Sequence, residues 1–369
     1  MVRVRVALHE ERDASYDIVI GRGLLAELPA LLARHCPAAR YAVITDSHVA
    51  PAYGDRLVTR LRDGKVPATL FAFAAGEWNK TRETWAAVSD RMLAAQFGRD
   101  SAVVALGGGV AGDVGGFVAA TFHRGIPCVQ VPTSLLAMID SSIGGKTGVD
   151  APAGKNLIGA FHQPRLVVAD LDTLTTLPPV QLAAGMAEAL KHGVIADRDY
   201  FAFLERDHAA ITAKDPAALE RVVTRSTEIK AQIVAQDERE AGVRAVLNFG
   251  HTIGHAIEAT TKFEVLHGEA VAIGMVSEAR LGERLGVTAA GTAERIRRAL
   301  AAYGLPTALP RGPSADDLLA AMQVDKKARA GALRFALPQG IGAMHRAPGD
   351  AWTVAPDPGA IADILAAAT

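Results

Sequence analysis

The sequence is poor in cysteine, has almost no net charge and lacks long apolar runs, and each shortage narrows the class of protein. Its two cysteines, Cys36 and Cys128, exclude a disulfide framework and are typical of a reducing cytosol. The 39 Lys and Arg residues nearly balance the 40 Asp and Glu residues, so no overall positive field predicts nucleic-acid binding. No window of about 18 apolar residues lacks a charge, so we predict no membrane span.

What the sequence does contain is enough apolar material for sizeable cores. Half of the 369 residues (50%) are hydrophobic, and a chain of this length suggests two domains. The first 21 residues alternate apolar and charged side chains. This alternation predicts an amphipathic strand, whereas a signal peptide has a continuous apolar core.

Short β-rich runs alternate with helical runs in the first half of the chain. Several of the β-rich runs are apolar throughout, as the strands of a buried parallel sheet are. The alternation predicts parallel strands joined by right-handed crossovers. The predicted strands cover 41–46, 66–73, 101–106, 126–132 and 165–171, with a helix at 81–97.

The pattern changes near Pro178 and Pro179, which end one segment and can begin a helix. The remainder is mostly helical, with one short strand predicted at 333–338. The predicted helices cover 180–192, 197–209, 216–238, 250–261, 268–285 and 290–303. We therefore predict an α/β domain with a parallel, Rossmann-like sheet at 1–178 and an all-α domain at 179–369.

Two glycine-rich turns suggest phosphate binding, but neither is a nucleoside-triphosphate loop. Gly145-Lys146-Thr147 ends as a Walker A loop does, yet Asp140 stands where that loop needs its first glycine and would repel a triphosphate. In the run VVALGGGVAGD, the spacing G-x-G-x-x-G follows a predicted strand and opens a helix, which is typical of a pyrophosphate cradle. A tight strand–helix turn explains the same glycines almost as well.

Asp46 ends an earlier predicted strand, where a carboxylate can bind the ribose hydroxyls of NAD and would repel the additional phosphate of NADP. It precedes the glycines, whereas the usual fingerprint places the acid about 20 residues after them. The region is therefore a dinucleotide site of different sheet topology, or no site, and Asp46 taken alone is better explained as a helix cap. Glu77 and Lys80 lie on another predicted strand-end loop.

Three histidines within 17 residues predict a metal site in the helical half. His251 and His255 are four residues apart on one helix face, a spacing that can hold one ion, and His267 begins the next helix. Glu188 and Lys191 lie one turn apart on an earlier helix. Two imidazoles and one carboxylate with an open position make a catalytic zinc site. The spacing leaves open which two histidines bind.

A dinucleotide and a metal together predict oxidation of an alcohol by hydride transfer, with the metal acidifying the hydroxyl and polarising the ketone. Cations on the glycine-rich loops and beside the histidines predict a small polyanionic substrate, although for any one of them a surface charge is the simpler explanation. These cations are Arg124, Lys146, Lys155, Lys191, Lys230, Arg244 and Lys326.

Eight sequence motifs, taken together and in their order along the chain, form a specific pattern. They are GGGVAGD, QVPTSLLAMIDSSIGGKTGVD, GKNLIGAFHQP, GMAEALKHG, AQDERE, LNFGHTIGHAIE, LHGEAVAIGM and DKKARAGALRFALP. Over about residues 40 to 345 the chain therefore resembles the 3-dehydroquinate synthase family of the shikimate pathway. The resemblance implies an α/β NAD domain, a helical metal domain and a cleft between them. It also implies a homodimer. The cysteine count, net charge and lack of apolar windows described above predict a cytoplasmic protein without nucleic-acid or membrane partners.

The resemblance also implies functional residues. The metal, zinc with cobalt as an alternative, would be bound by Glu188, His251 and His267, and His255 would then face the substrate. NAD would contact Asp46, Glu77, Lys80, Gly109, Val110, Ala111, Gly112, Asp113, Thr133, Ser134, Lys146, Lys155, Thr173, Leu174, Thr175 and Thr176. The substrate would contact Arg124, Asp140, Lys146, Asn156, Lys191, Lys230, Arg244, Asn248, His255 and Lys326.

The implied reaction converts 3-deoxy-D-arabino-heptulosonate 7-phosphate to 3-dehydroquinate and phosphate. It consists of NAD-dependent oxidation at C5, β-elimination of phosphate, reduction, ring opening and an intramolecular aldol closure. Two positions depart from the family pattern: Ser134 stands where threonine is usual and keeps the hydroxyl, and His123 receives no role.

Three other functions compete with this interpretation. Cyclases such as 2-deoxy-scyllo-inosose synthase act on substrates without a carboxylate, so Arg244 and Lys326 favour the heptulosonate, and so does Asn248, where the inosose enzymes carry an acid. A metal-dependent polyol dehydrogenase of similar fold would release NADH, and the cluster of cations argues against it. A non-catalytic NAD-binding protein would not need every site position.

Overall fold

The computed structural model describes residue 5 and residues 13–152, 154–262, 264–324, 333–349 and 351–366. Ten strands lie within these residues. They are β1 (Asp17–Gly21), β2 (Arg40–Asp46), β3 (Ala68–Phe73), β4 (Ser101–Gly107), β5 (Cys128–Pro132), β6 (Lys146–Ala151), β7 (Gly154–Phe161), β8 (Leu166–Asp170), β9 (Pro338–Gly340) and β10 (Ala343–Met344).

Thirteen α-helices lie within the same residues. They are α1 (Leu24–His35), α2 (Asp55–Asp63), α3 (Arg82–Ala94), α4 (Gly109–Thr121), α5 (Pro179–Ala196), α6 (Arg198–Arg206), α7 (His208–Thr212), α8 (Pro216–Gln236), α9 (His251–Thr260), α10 (His267–Arg284), α11 (Thr292–Ala302), α12 (Ala315–Val324) and α13 (Pro358–Ala366). Short π-helical turns cover Ala50–Gly54 and Ala137–Ser141, and 3-10 turns include Glu77–Asn79, Leu171–Thr176 and Val243–Asn248. None of the helices in the described ranges is long and apolar enough to cross a membrane.

Six parallel strands form the main sheet in the order β1-β8-β5-β4-β2-β3. Alternate residues of each central strand are buried on opposite faces. On β2, Val43 packs with α1 and α2 on one face, whereas Ala42 and Ile44 pack with α3 and α4 on the other. Burial on both faces explains why the strands are apolar throughout. The predicted Rossmann-like sheet and the mainly helical remainder are both confirmed.

The structure corrects three details of the prediction. The segment 197–209 is two helices, because α6 ends at Arg206 and α7 begins at His208. The segment 333–338 is not a continuous strand: Phe335 makes an isolated bridge with Val354, and β9 begins at Pro338. The antiparallel hairpin β6–β7 was not predicted, and it packs on α4.

The boundary between two domains at residue 178 stays a prediction. The helix α5 does begin there, at Pro179. One hydrophobic cluster, however, joins residues from both sides, including Leu135 and Leu174 before the boundary and Leu190 and Met275 after it. The helical part is therefore packed directly against the turns that follow β5 and β8.

Two glycines allow the helices of the second half to approach closely. A Cβ on Gly268 would lie 2.1 Å from the carbonyl oxygen of Ala184, and one on Gly274 would lie 1.9 Å from that of Gly250. Both separations are far below any van der Waals contact, so only glycine fits. These contacts bring the start of α10 against α5, and the middle of α10 against the residue that precedes α9.

We expect Gly274→Ala to lower the free energy of unfolding by about 2 kcal/mol, because the added methyl group must push the backbone of α9 away from α10. Chemical denaturation measures this change. Gly340→Ala is the matched control, since no atom lies within 4 Å of its added Cβ. An unchanged unfolding midpoint in Gly274→Ala would show that the helices separate without cost.

Candidate active site

The predicted dinucleotide site lies at the carboxyl ends of two adjacent strands. Asp46 ends β2, Gly107 ends β4, and the two strands are paired directly. A Cβ built on Gly107 would lie 3.5 Å from Oδ2 of Asp46. The chain leaves β2 and β4 toward opposite sides of the sheet. This divergence opens a crevice between the two strand ends, and open α/β sheets bind ligands in such a crevice. Adjacency in space thus explains how the acid can precede the glycines in sequence.

Asp46 also caps the turn that follows it. Its Oδ1 accepts backbone hydrogen bonds from His48 at 2.8 Å and Val49 at 3.0 Å. The other oxygen faces the glycine turn, so the capping role and a ribose-binding role use different atoms. Residues 109–113 form the first turn of α4, whose free N–H groups favour an anion.

A buried ion-pair network lies beside this turn. Nζ of Lys80 lies 2.6 Å from Oδ2 of Asp113 and 2.5 Å from Oδ1 of Asn156. Nζ of Lys155 lies 3.0 Å from Oε1 of Glu77. Burial by itself would lower the pKa of Lys80, but Asp113 and Glu77 raise it, so the lysine is charged. The network therefore joins four predicted NAD residues to one predicted substrate residue.

Six further predicted NAD residues lie on turns at the same edge of the sheet. The N–H of Thr133 donates to the carbonyl of Gly107 at 2.8 Å, and Oγ of Ser134 accepts from the N–H of Ala137 at 3.3 Å. Thr173, Leu174, Thr175 and Thr176 form the 3-10 turn after β8, and each threonine hydroxyl there donates to the carbonyl three residues earlier.

Glu188, His251 and His267 converge from α5, α9 and α10. Oε1 of Glu188 lies 3.5 Å from Nε2 of His251 and 3.5 Å from Nε2 of His267. The three donor atoms lie within 4.8 Å of one another, a separation that a single cation can bridge. The convergence follows from the helix packing, because His267 precedes Gly268, which touches α5 one turn before Glu188.

Both imidazole rings are oriented by acceptors behind them. Nδ1 of His251 lies 3.2 Å from the carbonyl oxygen of Phe249, and Nδ1 of His267 lies 3.3 Å from both carboxylate oxygens of Glu258. Neither acceptor carries a proton, so each Nδ1 is the donor and each Nε2 faces Glu188. Glu278 caps the start of α9 by accepting hydrogen bonds from Gly250 and Ile253.

The chemistry of this set fits a divalent cation. Glu188 is fully buried; in the described part of the chain it forms an ion pair with Lys191, and neither of its oxygens has a hydrogen-bond partner of acceptable geometry. Burial by itself would raise the pKa of Glu188, but Lys191 and His267 lower it, so the carboxylate is ionised. A buried carboxylate with two imidazole nitrogens is a set that zinc and cobalt accept.

The structure also brings together two overlapping sets of donor atoms. His255, Glu258 and His267 form one, and Asp140, Glu188 and His192 form the other. The ring of His255 lies 5.3 Å from that of His251 between centroids, so all three histidines of the predicted site are neighbours. The assignment of His251 and not His255 as a metal ligand stays a prediction.

A cationic cluster adjoins the metal set. Nζ of Lys230 lies 2.5 Å from Oδ1 of Asp140, and Lys191 forms an ion pair with Glu188. Burial by itself would raise the pKa of Asp140, but Lys230 and Lys191 hold it well below its usual range. Burial and the charge of Lys191 lower the pKa of His192 to about 3, so this imidazole is neutral.

Arg244 is buried, with only 2% of its surface exposed. Its guanidinium donates to the backbone carbonyls of Glu238 and Gly144, and its Nε has no hydrogen-bond partner among the described residues. Lys146 forms an ion pair with Glu240, and the amide of Asn248 donates to the same carboxylate. Glu240 therefore connects two predicted substrate residues.

Two predicted substrate residues are not brought into this arrangement. Arg124 is exposed and follows the end of α4, a helix that places it roughly 20 Å from the glycine turn. Within the described ranges, no hydrogen bond or ion pair links Arg124 to the other predicted residues. Lys326 lies outside the described residues. Both stay predictions.

Sequence reasoning missed four residues that the structure places in the site: His192, Glu240, Glu258 and Glu278. His192 and Glu240 lie within two of the quoted runs, GMAEALKHG and AQDERE, and Glu258 ends a third, LNFGHTIGHAIE. Glu258 falls seven residues after His251, about two helical turns, and this spacing was a signal that could have found it. Glu278 gave no local signal, because its partners belong to another helix.

Both halves of the chain match one known protein family. Residues 70–184 match the family described as 3-dehydroquinate synthase N-terminal, and residues 185–328 match 3-dehydroquinate synthase C-terminal. The chain is 50% identical to the 3-dehydroquinate synthase of Symbiobacterium thermophilum over 333 residues, which cover 90% of this chain and 92% of the relative.

Two solved structures share the whole architecture. One is the 2-epi-5-epi-valiolone synthase of Streptomyces hygroscopicus subsp. jinggangensis with NAD+ and Zn2+ bound, at a TM-score of 0.88 and 32% identity over 98% of both chains. The other is a 2-deoxy-scyllo-inosose synthase complexed with carbaglucose-6-phosphate, NAD+ and Co2+, at a TM-score of 0.88 and 28% identity over 96% of this chain and 97% of that one.

The fold and the convergent glutamate–histidine set place the chain in the class of the sugar phosphate cyclases. Within this class, the matches over residues 70–328 and the identity of 50% show which branch it represents. The chain belongs to the 3-dehydroquinate synthase family.

Proposed function

We propose that the chain converts 3-deoxy-D-arabino-heptulosonate 7-phosphate to 3-dehydroquinate and phosphate, with NAD and one divalent metal ion, zinc or cobalt, as its cofactors. The observation that carries the proposal is the convergence of Glu188, His251 and His267 next to the ion pair of Asp140 and Lys230. Family membership and the cofactors named for the two solved cyclases support it.

The residues divide between two cofactors. Glu188, His251 and His267 hold the metal. Asp46, the first turn of α4, Glu77, Lys80 and Lys155 would bind NAD. When bound, NAD supplies reversible hydride acceptance and the metal supplies polarisation of the reacting oxygen. The protein itself positions the sugar and excludes water.

The proposed substrate contacts are assigned by matching the charges of the side chains to those of the substrate. Lys146, Lys191, Lys230 and Arg244 supply cations for a phosphate and a carboxylate, and Asp140 accepts a hydrogen bond from a substrate hydroxyl. Lys230 keeps Asp140 ionised and therefore ready to accept. Asn156, Asn248, His255, Arg124 and Lys326 complete the proposed contacts.

The decisive experiment is incubation with the heptulosonate phosphate and NAD. We expect phosphate release without net NADH, because each hydride returns in the same turnover. Net NADH would indicate a polyol dehydrogenase, and no reaction would indicate a binding protein. A 2-deoxy-scyllo-inosose synthase would act on a hexose phosphate, and Asn248 and Arg244 favour the acidic substrate over that one.

We propose further that the protein is a cytoplasmic homodimer. Two buried free cysteines suit a reducing compartment. Sedimentation at several protein concentrations tests the oligomeric state, and a monomer at all of them would contradict it.

We expect the parent to prefer NAD over NADP and Asp46→Asn to reduce this preference about tenfold, the effect of about 1.4 kcal/mol of lost repulsion. Asparagine keeps an oxygen for the hydrogen bonds from His48 and Val49, so the turn survives. Fluorescence titration of both dinucleotides measures the ratio. Asp55→Asn, on α2, is the control, and equal parent affinities would leave Asp46 with only its capping role.

A further inference from the structure

Glu258 connects the metal set to the cofactor crevice, although it belongs to neither predicted site. It lies on α9 and is 1% exposed. Both of its oxygens lie 3.3 Å from Nδ1 of His267, and Oε1 also lies 2.8 Å from Nζ of Lys155. One buried carboxylate therefore serves a predicted metal ligand and a predicted NAD residue at once.

The contact is built into the fold. Glu258 follows His251 by seven residues, so α9 presents a metal-set histidine and this glutamate on one face. A buried carboxylate held by two partners moves only as far as those partners move.

The connection continues to the other side of the crevice. Lys155, on β7, also lies 3.0 Å from Oε1 of Glu77, and Glu77 lies 3.8 Å from Nζ of Lys80. A continuous series of opposite charges thus runs from Lys80 through Glu77, Lys155 and Glu258 to His267. Its members come from the sheet half and from the helical half of the chain.

We propose that Glu258 is a positioning residue that orients His267 and couples metal binding to NAD binding. A carboxylate behind an imidazole fixes its tautomer and ring plane, which commonly changes metal affinity 10- to 100-fold. Because Lys155 shares this carboxylate, NAD that orders Lys155 also orders Glu258. Linkage is reciprocal, so each ligand strengthens the other by the same factor. The inference rests on the proposed metal and NAD sites.

Glu258→Gln tests the orienting role. The amide can still accept from Nδ1 of His267, but it lacks the negative charge that makes the imidazole a stronger metal ligand and that holds Lys155. We expect zinc affinity, measured by competition with a chromophoric chelator, to fall 10- to 100-fold. The visible spectrum of bound cobalt should keep its bands, since the ligand atoms are unchanged. Glu205→Gln, which removes a carboxylate paired with Arg295 on α11, should match the parent.

The coupling is measured by titrating NAD with and without zinc. We expect the parent to bind NAD about tenfold more tightly with zinc, and Glu258→Gln to show a ratio near one. Lys155→Met provides a second variant, which leaves Glu258 on His267. Its zinc affinity should match the parent while its coupling is lost, so the test survives if Glu258→Gln does not fold.

Each outcome decides a different question. A parent that binds no zinc would overturn the proposed function itself. A parent that binds zinc and NAD while Glu258→Gln keeps parent affinity and coupling would overturn only the role of Glu258. Altered cobalt bands in Glu258→Gln would show that Glu258 is a ligand, with His255 and His267, and would overturn the positioning role as well.

Discussion

His267→Ala should lose its bound metal and reduce kcat/KM by roughly a thousandfold or more, while the protein stays folded. The substitution removes one of three donors from the set with Glu188 and His251, and a metal that polarises a reacting oxygen contributes several kcal/mol to catalysis. The fold should survive because His267 is the first residue of α10 and the helix is held by Gly268 and Gly274.

The measurement combines metal analysis, steady-state kinetics and far-UV circular dichroism on one preparation. His208→Ala is the matched control, since this histidine lies on α7 and its ring contacts Glu205 and Tyr303, neither of which belongs to the proposed site. One equivalent of tightly bound metal in His267→Ala would contradict the assignment and would favour the set of Asp140, Glu188 and His192.

The main sheet was predictable because its signal is local. The strand β4, for example, is buried on both faces, and a glycine turn and the helix α4 follow it. The hairpin β6–β7 was not predictable from the same rules. Its strands are rich in glycine and lysine, and they are stabilised by packing on α4, where Gly116 approaches Thr147.

The metal set was predictable only in part. The spacing of His251 and His255 is a property of one helix, so it was visible in the sequence. Which histidine faces Glu188 depends on how α5, α9 and α10 cross. The crossing depends on backbone contacts at Gly268 and Gly274, which follow α5 by more than 70 residues in sequence. Helical spacing carries no information about such crossings.

The substrate cations show the same limit. Charge alone predicted that Lys146 and Arg244 bind an anion, but it could not identify their partners within the protein. Lys146 pairs with Glu240, and Arg244 is held by two backbone carbonyls. Such contacts join positions up to 100 residues apart. They also change what a substitution at Arg244 should do.

Arg244→Lys should lower kcat/KM about a hundredfold, at the upper end of a charged hydrogen bond's contribution. The carbonyls of Glu238 and Gly144 fix the guanidinium plane, and Nε has no hydrogen-bond partner among the described residues. Lysine keeps the charge but has no planar fork to satisfy two carbonyls and a carboxylate together. Burial already lowers the pKa of Arg244, so a cation with fewer hydrogen-bond partners is less stable at this position.

The control must separate loss of a substrate contact from loss of stability. Arg295→Lys serves, because Arg295 on α11 makes a forked contact through Nε and Nη2 with Glu205 on α6, and neither residue belongs to the proposed site. It should cost stability but leave kcat/KM unchanged. In Arg244→Lys, NAD and zinc affinity should equal those of the parent. Unchanged kcat/KM would make Arg244 a purely structural cation, and the preference for an acidic heptulosonate over a neutral sugar phosphate would then rest on Asn248 and Lys326.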